Sequence, residues 1–170
     1  MKKIVLVSLA AICLLAFQSI TKNETEPGKK LPSINLKDMA GNAINTAKVT
    51  NDGNPIVISF WATWCKPCKL ELNTIADEYD DWVEETGVKL IAVSTDDQRT
   101  VKSVKPTVNA SGWDYDIWLD TNADFKRAMG VNLVPHTFLL DGNGTIVYSH
   151  NNFVPGDEEE LYEQILKISK

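Results

Sequence analysis

The sequence predicts an α/β protein of three layers, a central mixed β-sheet with helices on both faces. Two observations carry this. Short apolar, β-branched runs at Ile56–Phe60, Val88–Ser94 and His136–Leu140 alternate with longer segments of helical periodicity, the pattern of strands and helices packed in turn. The last run is followed by Asp141-Gly142-Asn143-Gly144 and then Thr145–Ser149, a hairpin that brings antiparallel pairing into the sheet. A length of 170 residues is accounted for by one domain with an N-terminal extension.

The chain opens with a short basic stretch, Met1-Lys2-Lys3, and an apolar run from Ile4 to Phe17 broken only by Ser8. Residues 1–21 therefore read as a signal peptide or membrane anchor. The run is shorter than the roughly 20 residues that cross a bilayer, which favours a cleaved signal and a periplasmic or extracytoplasmic protein, with membrane contact only if the segment is retained. Ile12 precedes Cys13 and Leu14-Leu15 follow it, so Cys13 does not sit as a lipid-bearing cysteine would. The formal charge is −6 and moves to about −8 once Lys2 and Lys3 are gone; an acidic chain argues against a nucleic-acid partner. Residues 22–30, polar and containing Pro27-Gly28, read as a flexible tether, and residues 31–170 as the domain.

Within the domain, Leu31–Leu36, the turn Met39-Ala40-Gly41-Asn42 and Ala43-Ile44 predict a leading β-hairpin. The loop Asn51–Pro55 leads into the buried strand Ile56–Phe60. A helix from about Cys65 to Glu85 places Cys68, Leu72, Ile75, Ala76, Tyr79, Trp82 and Val83 on one stripe, with Glu71 at its edge beside Cys68. Gly87 ends that helix and Val88–Ser94 is the next strand. Asp96-Asp97 then caps a second helix carrying Val101, Val104 and Val108, which Pro106 bends or ends. Trp113–Leu119 reads as a strand, Thr121–Met129 as a short helix closed by Gly130, and Asp157–Glu160 as the acidic first turn of a last amphipathic helix with Leu161, Ile165 and Ile168 inward.

The chemistry is concentrated in Trp64-Cys65-Lys66-Pro67-Cys68, at a strand-to-helix junction. A helix N-terminus offers unpaired N–H groups and partial positive charge, which favour a thiolate, so Cys65 is placed as nucleophile, with Lys66 adding charge nearby. Cys68, one turn on, is placed to attack a mixed disulfide on Cys65. Zinc and a structural disulfide are the competing readings. A structural zinc takes four ligands, and no second Cys-x-x-Cys or His cluster is present; a bridge over two residues closes too short a loop to stabilise much. No metal or cofactor is expected.

The preceding strand, the Trp-Cys-x-Pro-Cys pattern and Val134-Pro135 resemble the thioredoxin superfamily, and Cys-x-Pro-Cys-x-x-Glu resembles its TlpA/ResA-like thiol-disulfide oxidoreductases. The resemblance implies a thioredoxin-like fold with an N-terminal hairpin and a central strand-helix insertion (Trp113–Met129). It implies a cis Pro135 against the dithiol, with Val134 offering its backbone to a substrate strand. Trp64 becomes a platform for the partner, and Glu71 a carboxyl under the site that takes the Cys68 proton. Ser59 departs from the pattern, standing where thioredoxins carry a buried Asp, so proton transfer falls to Glu71 or water. His136 replaces the usual Thr after the proline and reads as structural. The activity implied is disulfide exchange with protein substrates, as a reductant in cytochrome c maturation or envelope thiol maintenance, fed by an upstream thiol donor, a membrane reductase. Lys66-Pro67 does not fix the redox direction. The alternatives are a thiol peroxidase, which shares the insertion although the Pro-x-x-x-Thr-x-x-Cys motif is absent, and a copper-binding chaperone, for which only His136 and His150 are available.

Overall fold

Continuous apolar runs form the centre of the sheet because both of its faces are covered. The computed structural model describes residues 28–169, so the expected signal or anchor lies outside the described residues. The strands are β1 (Asn35–Asp38), β2 (Ala43–Asn45), β3 (Ile56–Trp61), β4 (Lys89–Ser94), β5 (Asp116–Leu119), β6 (His136–Leu140) and β7 (Ile146–Asn151); the helices are α1 (Lys66–Thr86), α2 (Val104–Ser111), α3 (Asp124–Ala128) and α4 (Asp157–Ile168). They form one seven-stranded sheet in the order β2-β1-β5-β4-β3-β6-β7. β3, β4 and β5 run parallel, while β6, β7 and the leading hairpin pair antiparallel. Every residue of β3, which lies between β4 and β6 in the interior of the sheet, is buried.

Two cores follow from strand alternation. Val57, Trp61, Ala92 and Leu139 face α1, α2 and α4, where they meet Leu72, Ile75, Val104, Val108, Leu161 and Ile165. Ile58, Phe60, Val93 and Phe138 face the other way, toward Phe125 of α3 and the N-terminal segment. The three-layer α/β prediction holds.

Several elements differ from expectation for identifiable reasons. The buried arc of α1 is centred on Ile75, which brings Glu71 inside it and leaves Val83 at 40% exposure. α2 is preceded by a separate 3-10 turn, and Pro106 falls in its first turn, where no hydrogen bond is lost, so the helix runs on to Ser111. Asp97 accepts from the Arg99 and Thr100 amides at that turn, whereas Asp96 turns inward and is no cap. β5 is shorter than the Trp113–Leu119 run because the Trp113 amide closes the end of α2 on Val108. The rings of Trp113 and Tyr115 pack instead on α1. Trp113 lies edge-on to Trp61 at 5.0 Å and donates Nε1–H to Asn73, and the Tyr115 hydroxyl donates to the Leu72 carbonyl. Residues 28–30, read as tether, bond the start of β7: Gly28 N–H donates to Ile146 O and Ile146 N–H to Lys29 O. Gly142 is required in the β6–β7 turn, since a Cβ there would lie 1.9 Å from the Gly53 carbonyl oxygen.

Candidate active site

β3 delivers the chain to the site and α1 receives it. Cys65 is the N-cap of α1, with extended backbone, and its sulfur accepts the Cys68 N–H at 3.3 Å. Pro67 occupies the first turn, where its missing N–H has no partner to lose. The two cysteines are joined in a disulfide; Cys65 is 5% exposed and Cys68 is fully buried. The loop between strand and helix is held from β4. The buried Asp96 carboxylate accepts from the Thr63 amide (2.9 Å), the Thr63 hydroxyl (2.6 Å) and the Ser94 hydroxyl (2.9 Å). Thr95 clamps the Trp61 carbonyl with its amide and its hydroxyl. Asp96 is thus a positioning residue that sequence reasoning assigned to a helix cap.

Opposite the dithiol, the Val134–Pro135 bond is cis, and the Val134 carbonyl oxygen lies 3.7 Å from Cys65 Sγ. Pro135 is buried, and its carbonyl accepts the Asn152 amide at 3.0 Å, which ties this loop to the end of β7. Trp64 and Leu133 are 62% and 79% exposed beside these groups.

Behind Cys68, Glu71 is 1% exposed. A carboxyl taken out of water requires donors on both oxygens. Oε2 accepts from Ser59 Oγ at 3.2 Å; Oε1 accepts from Thr137 Oγ1 at 2.6 Å and lies 3.2 Å from His150 Nε2. These three partners form a row across the sheet, since Ser59 is opposite Thr137 and Thr137 is opposite His150. His150 reaches the row through a shift of register. Leu140 pairs with Ile146 but Leu139 with Tyr148, leaving Val147 as the extra residue of a bulge. Without it, alternation would put His150 opposite His136 on the other face.

His136 does face that other side. It is 2% exposed, stacks on Phe138 at 4.2 Å, and has no hydrogen-bond partner at Nε2 among the described residues. Burial, and then the charge of His150, pull its pKa down to about 4. Burial followed by the Glu71 charge pushes the Tyr115 hydroxyl well above the usual phenol range.

The structure therefore brings Cys65, Cys68, Val134 and Pro135 together at one end of the sheet, with Trp64 exposed at the rim and Glu71 buried in the same helix face as Cys68. No group of three or more metal-ligating side chains occurs among the described residues. Thr137 and His150, missed as partners of Glu71, follow His136 in β6 and lie beyond a bulge; only the polarity of Thr137 in a run of apolar residues signalled anything.

The profile of the AhpC/TSA family matches residues 27–149. The thiol-disulfide oxidoreductase ResA of Bacillus thuringiensis is 31% identical over 126 residues, 74% of this chain and 70% of that protein. The thiol:disulfide interchange protein DsbE of Vibrio cholerae is 31% identical over 188 residues, 99% of this chain and 98% of that protein. The solution structure of an uncharacterized thioredoxin-like protein from Porphyromonas gingivalis superposes with a TM-score of 0.75 at 46% identity, covering 85% of this chain and 94% of that one. With a Cys-x-Pro-Cys pair at the start of α1 and relatives of this kind, the chain belongs to the AhpC/TSA family, as a thioredoxin-like thiol-disulfide oxidoreductase of the ResA/DsbE type.

Proposed function

We propose that the protein is exported and reduces disulfides of partner proteins through Cys65 and Cys68, in cytochrome c maturation or envelope thiol maintenance, and is itself re-reduced by an upstream membrane thiol donor. The observation that carries this is the Cys65 sulfur, capped by the Cys68 amide and set beside the carbonyl that precedes a cis proline. An N–H aimed at that sulfur stabilises it as a thiolate whenever the disulfide is open. Export is supported by the basic and apolar start of the chain.

The Cys65 thiolate attacks one sulfur of a partner disulfide; the partner's other sulfur leaves as a thiolate, and a mixed disulfide forms. Val134 lends its backbone to the partner strand, and Trp64 supplies an apolar rim. Cys68 then gives its proton to the Glu71 carboxylate and attacks Cys65 Sγ, closing the Cys65–Cys68 disulfide and releasing the partner's second sulfur. The partner gains two electrons and two protons, and the dithiol loses them.

Substitution tests the order of events. Cys65→Ser should bring exchange to background, whereas Cys68→Ser should retain attack and accumulate mixed disulfides, separable on non-reducing gels, with envelope proteins that include apocytochromes c. Mixed disulfides held on Cys68 in the Cys65→Ser protein would reverse the assignment.

A further inference from the structure

The proton that Glu71 takes from Cys68 has to leave a carboxyl that is 1% exposed. Of its three partners, Ser59 and Thr137 are fully buried, and only His150, with 15% of its side chain exposed, stands between Glu71 and the surface. Its Nε2 is 3.2 Å from Glu71 Oε1, while its Nδ1 is buried without a hydrogen-bond partner among the described residues. An imidazole with one nitrogen on a carboxyl and part of its ring at the surface can take a proton from the carboxyl and hand it on to water. The bulge at Val147 is what turns His150 onto this face, and bulges next to active sites re-aim side chains in this way.

Resting on the mechanism above, we propose that His150 is the positioning residue that carries the Glu71 proton to solvent, and so sets the rate at which Cys68 resolves the mixed disulfide. The Cys68 thiol proton passes to Glu71 as the Cys68 sulfur bonds Cys65 Sγ and the partner sulfur departs. Glu71 passes the proton to His150 Nε2, and the imidazolium, part of whose side chain reaches the surface, gives that same proton up to water, which restores both the Glu71 carboxylate and an Nε2 free to accept in the next cycle. No electron moves in the relay. The groups that bear on His150 are Glu71 from α1, His136 from β6 and Tyr148 on its own strand, whose ring centroid is 5.9 Å away. From α4, Glu160 and Asp157 bear on Tyr148.

The two thiol steps separate in a reaction of the reduced full chain, carrying Cys13→Ser in every arm, with dithiobis(nitrobenzoate). Attack by Cys65 releases the first chromophoric thiolate, and resolution by Cys68 releases the second. In His150→Gln and His150→Ala the first release stays within about twofold of the parent, while the second slows about tenfold, at the low end of general acid–base effects. The pH profile of the second release departs from that of the parent in both variants, and added imidazole restores the rate of His150→Ala in proportion to its concentration. Glu71→Gln slows the same release. A second release unchanged in rate and profile in His150→Gln, beside a slow Glu71→Gln, overturns the relay and leaves the oxidoreductase mechanism standing; so does a slow release in His150→Ala that imidazole does not raise. Absence of the first release in the parent protein overturns that mechanism and the relay together. Should His150→Ala not fold, the glutamine variant decides by its profile.

Discussion

Neighbouring residues of β6 face two different environments. Thr137 points into the layer of α1, where Ser59, Thr137 and His150 converge on Glu71. His136 and Phe138 point into the layer of α3, where Phe60 meets Phe125 at 5.1 Å and Phe138 at 5.9 Å and the imidazole stacks on Phe138. One peptide step separates a polar network in which Glu71 is fully partnered from an aromatic cluster holding a nitrogen without a hydrogen-bond partner among the described residues. The difference teaches that this sheet divides its labour by face. The α1 face carries the hydrogen-bonded polar groups to which proton transfer is assigned in the proposal above, and the α3 face carries aromatic packing.

Truncating each face separates the two roles with the largest effect. Phe138 is fully buried, so Phe138→Ala should cost about 3–5 kcal/mol of unfolding free energy in denaturant titration, with the exchange rate per folded molecule unchanged. Thr137→Val keeps volume but leaves Glu71 one donor short. It should cost roughly 1–3 kcal/mol and slow the Cys68 step. Equal losses of exchange rate in both variants would abolish the division.

How much of this was legible depended on whether the signal was local. The strand before the dithiol, the Cys65–Cys68 spacing and most of the α1 stripe are read from consecutive residues, and the structure places them as expected except for Val83, which is exposed. Glu71 was legible as an anomaly, a carboxylate at the edge of an apolar stripe, although its burial depends on how far α1 rolls toward Ile75. His150 was not legible. Its face is set by one extra residue in a hairpin, and a one-residue slip reverses every side chain beyond it. Asp96 was misread because an Asp before a helical segment matches a capping signal, while its actual partners, Thr63 and Ser94, include one that is distant in sequence.

The second effect uses the histidine of the aromatic face. Burial first, then the charge of His150, hold His136 at a pKa of about 4, against an ordinary 6.5. The unfolded chain therefore binds the proton more readily than the folded one, and stability falls as pH drops from about 6.5 to about 4. Over that window the loss should reach about 3 kcal/mol. His136→Phe keeps a ring on Phe138 and removes the titration. The difference in unfolding free energy between parent and variant should therefore be flat above pH 7 and change steadily below it. Asp97, held down to about 2 mainly by its hydrogen bonds to Arg99, titrates below this window. A difference independent of pH would mean that water reaches the imidazole and that the α3 face is less dry than its packing indicates.

The smallest effect on stability falls on the residue that belongs to neither layer. Trp64 is 62% exposed and adjoins Cys65, and an indole with so little contact contributes little to folding. Trp64→Ala should shift unfolding by no more than about 0.5 kcal/mol. Its large apolar surface beside the thiol nonetheless has the character of an interface anchor, and aromatic anchors contribute about 2 kcal/mol or more to association. Exchange with a small disulfide, which touches only Cys65, should keep its rate, while the KM for a protein disulfide should rise severalfold with kcat nearly constant, because an anchor that holds ground state and transition state alike affects binding and not the chemical step. A fall in kcat with both substrates would place Trp64 in the electrostatics of the thiolate instead, and would extend the reactive face of the sheet outward onto the rim.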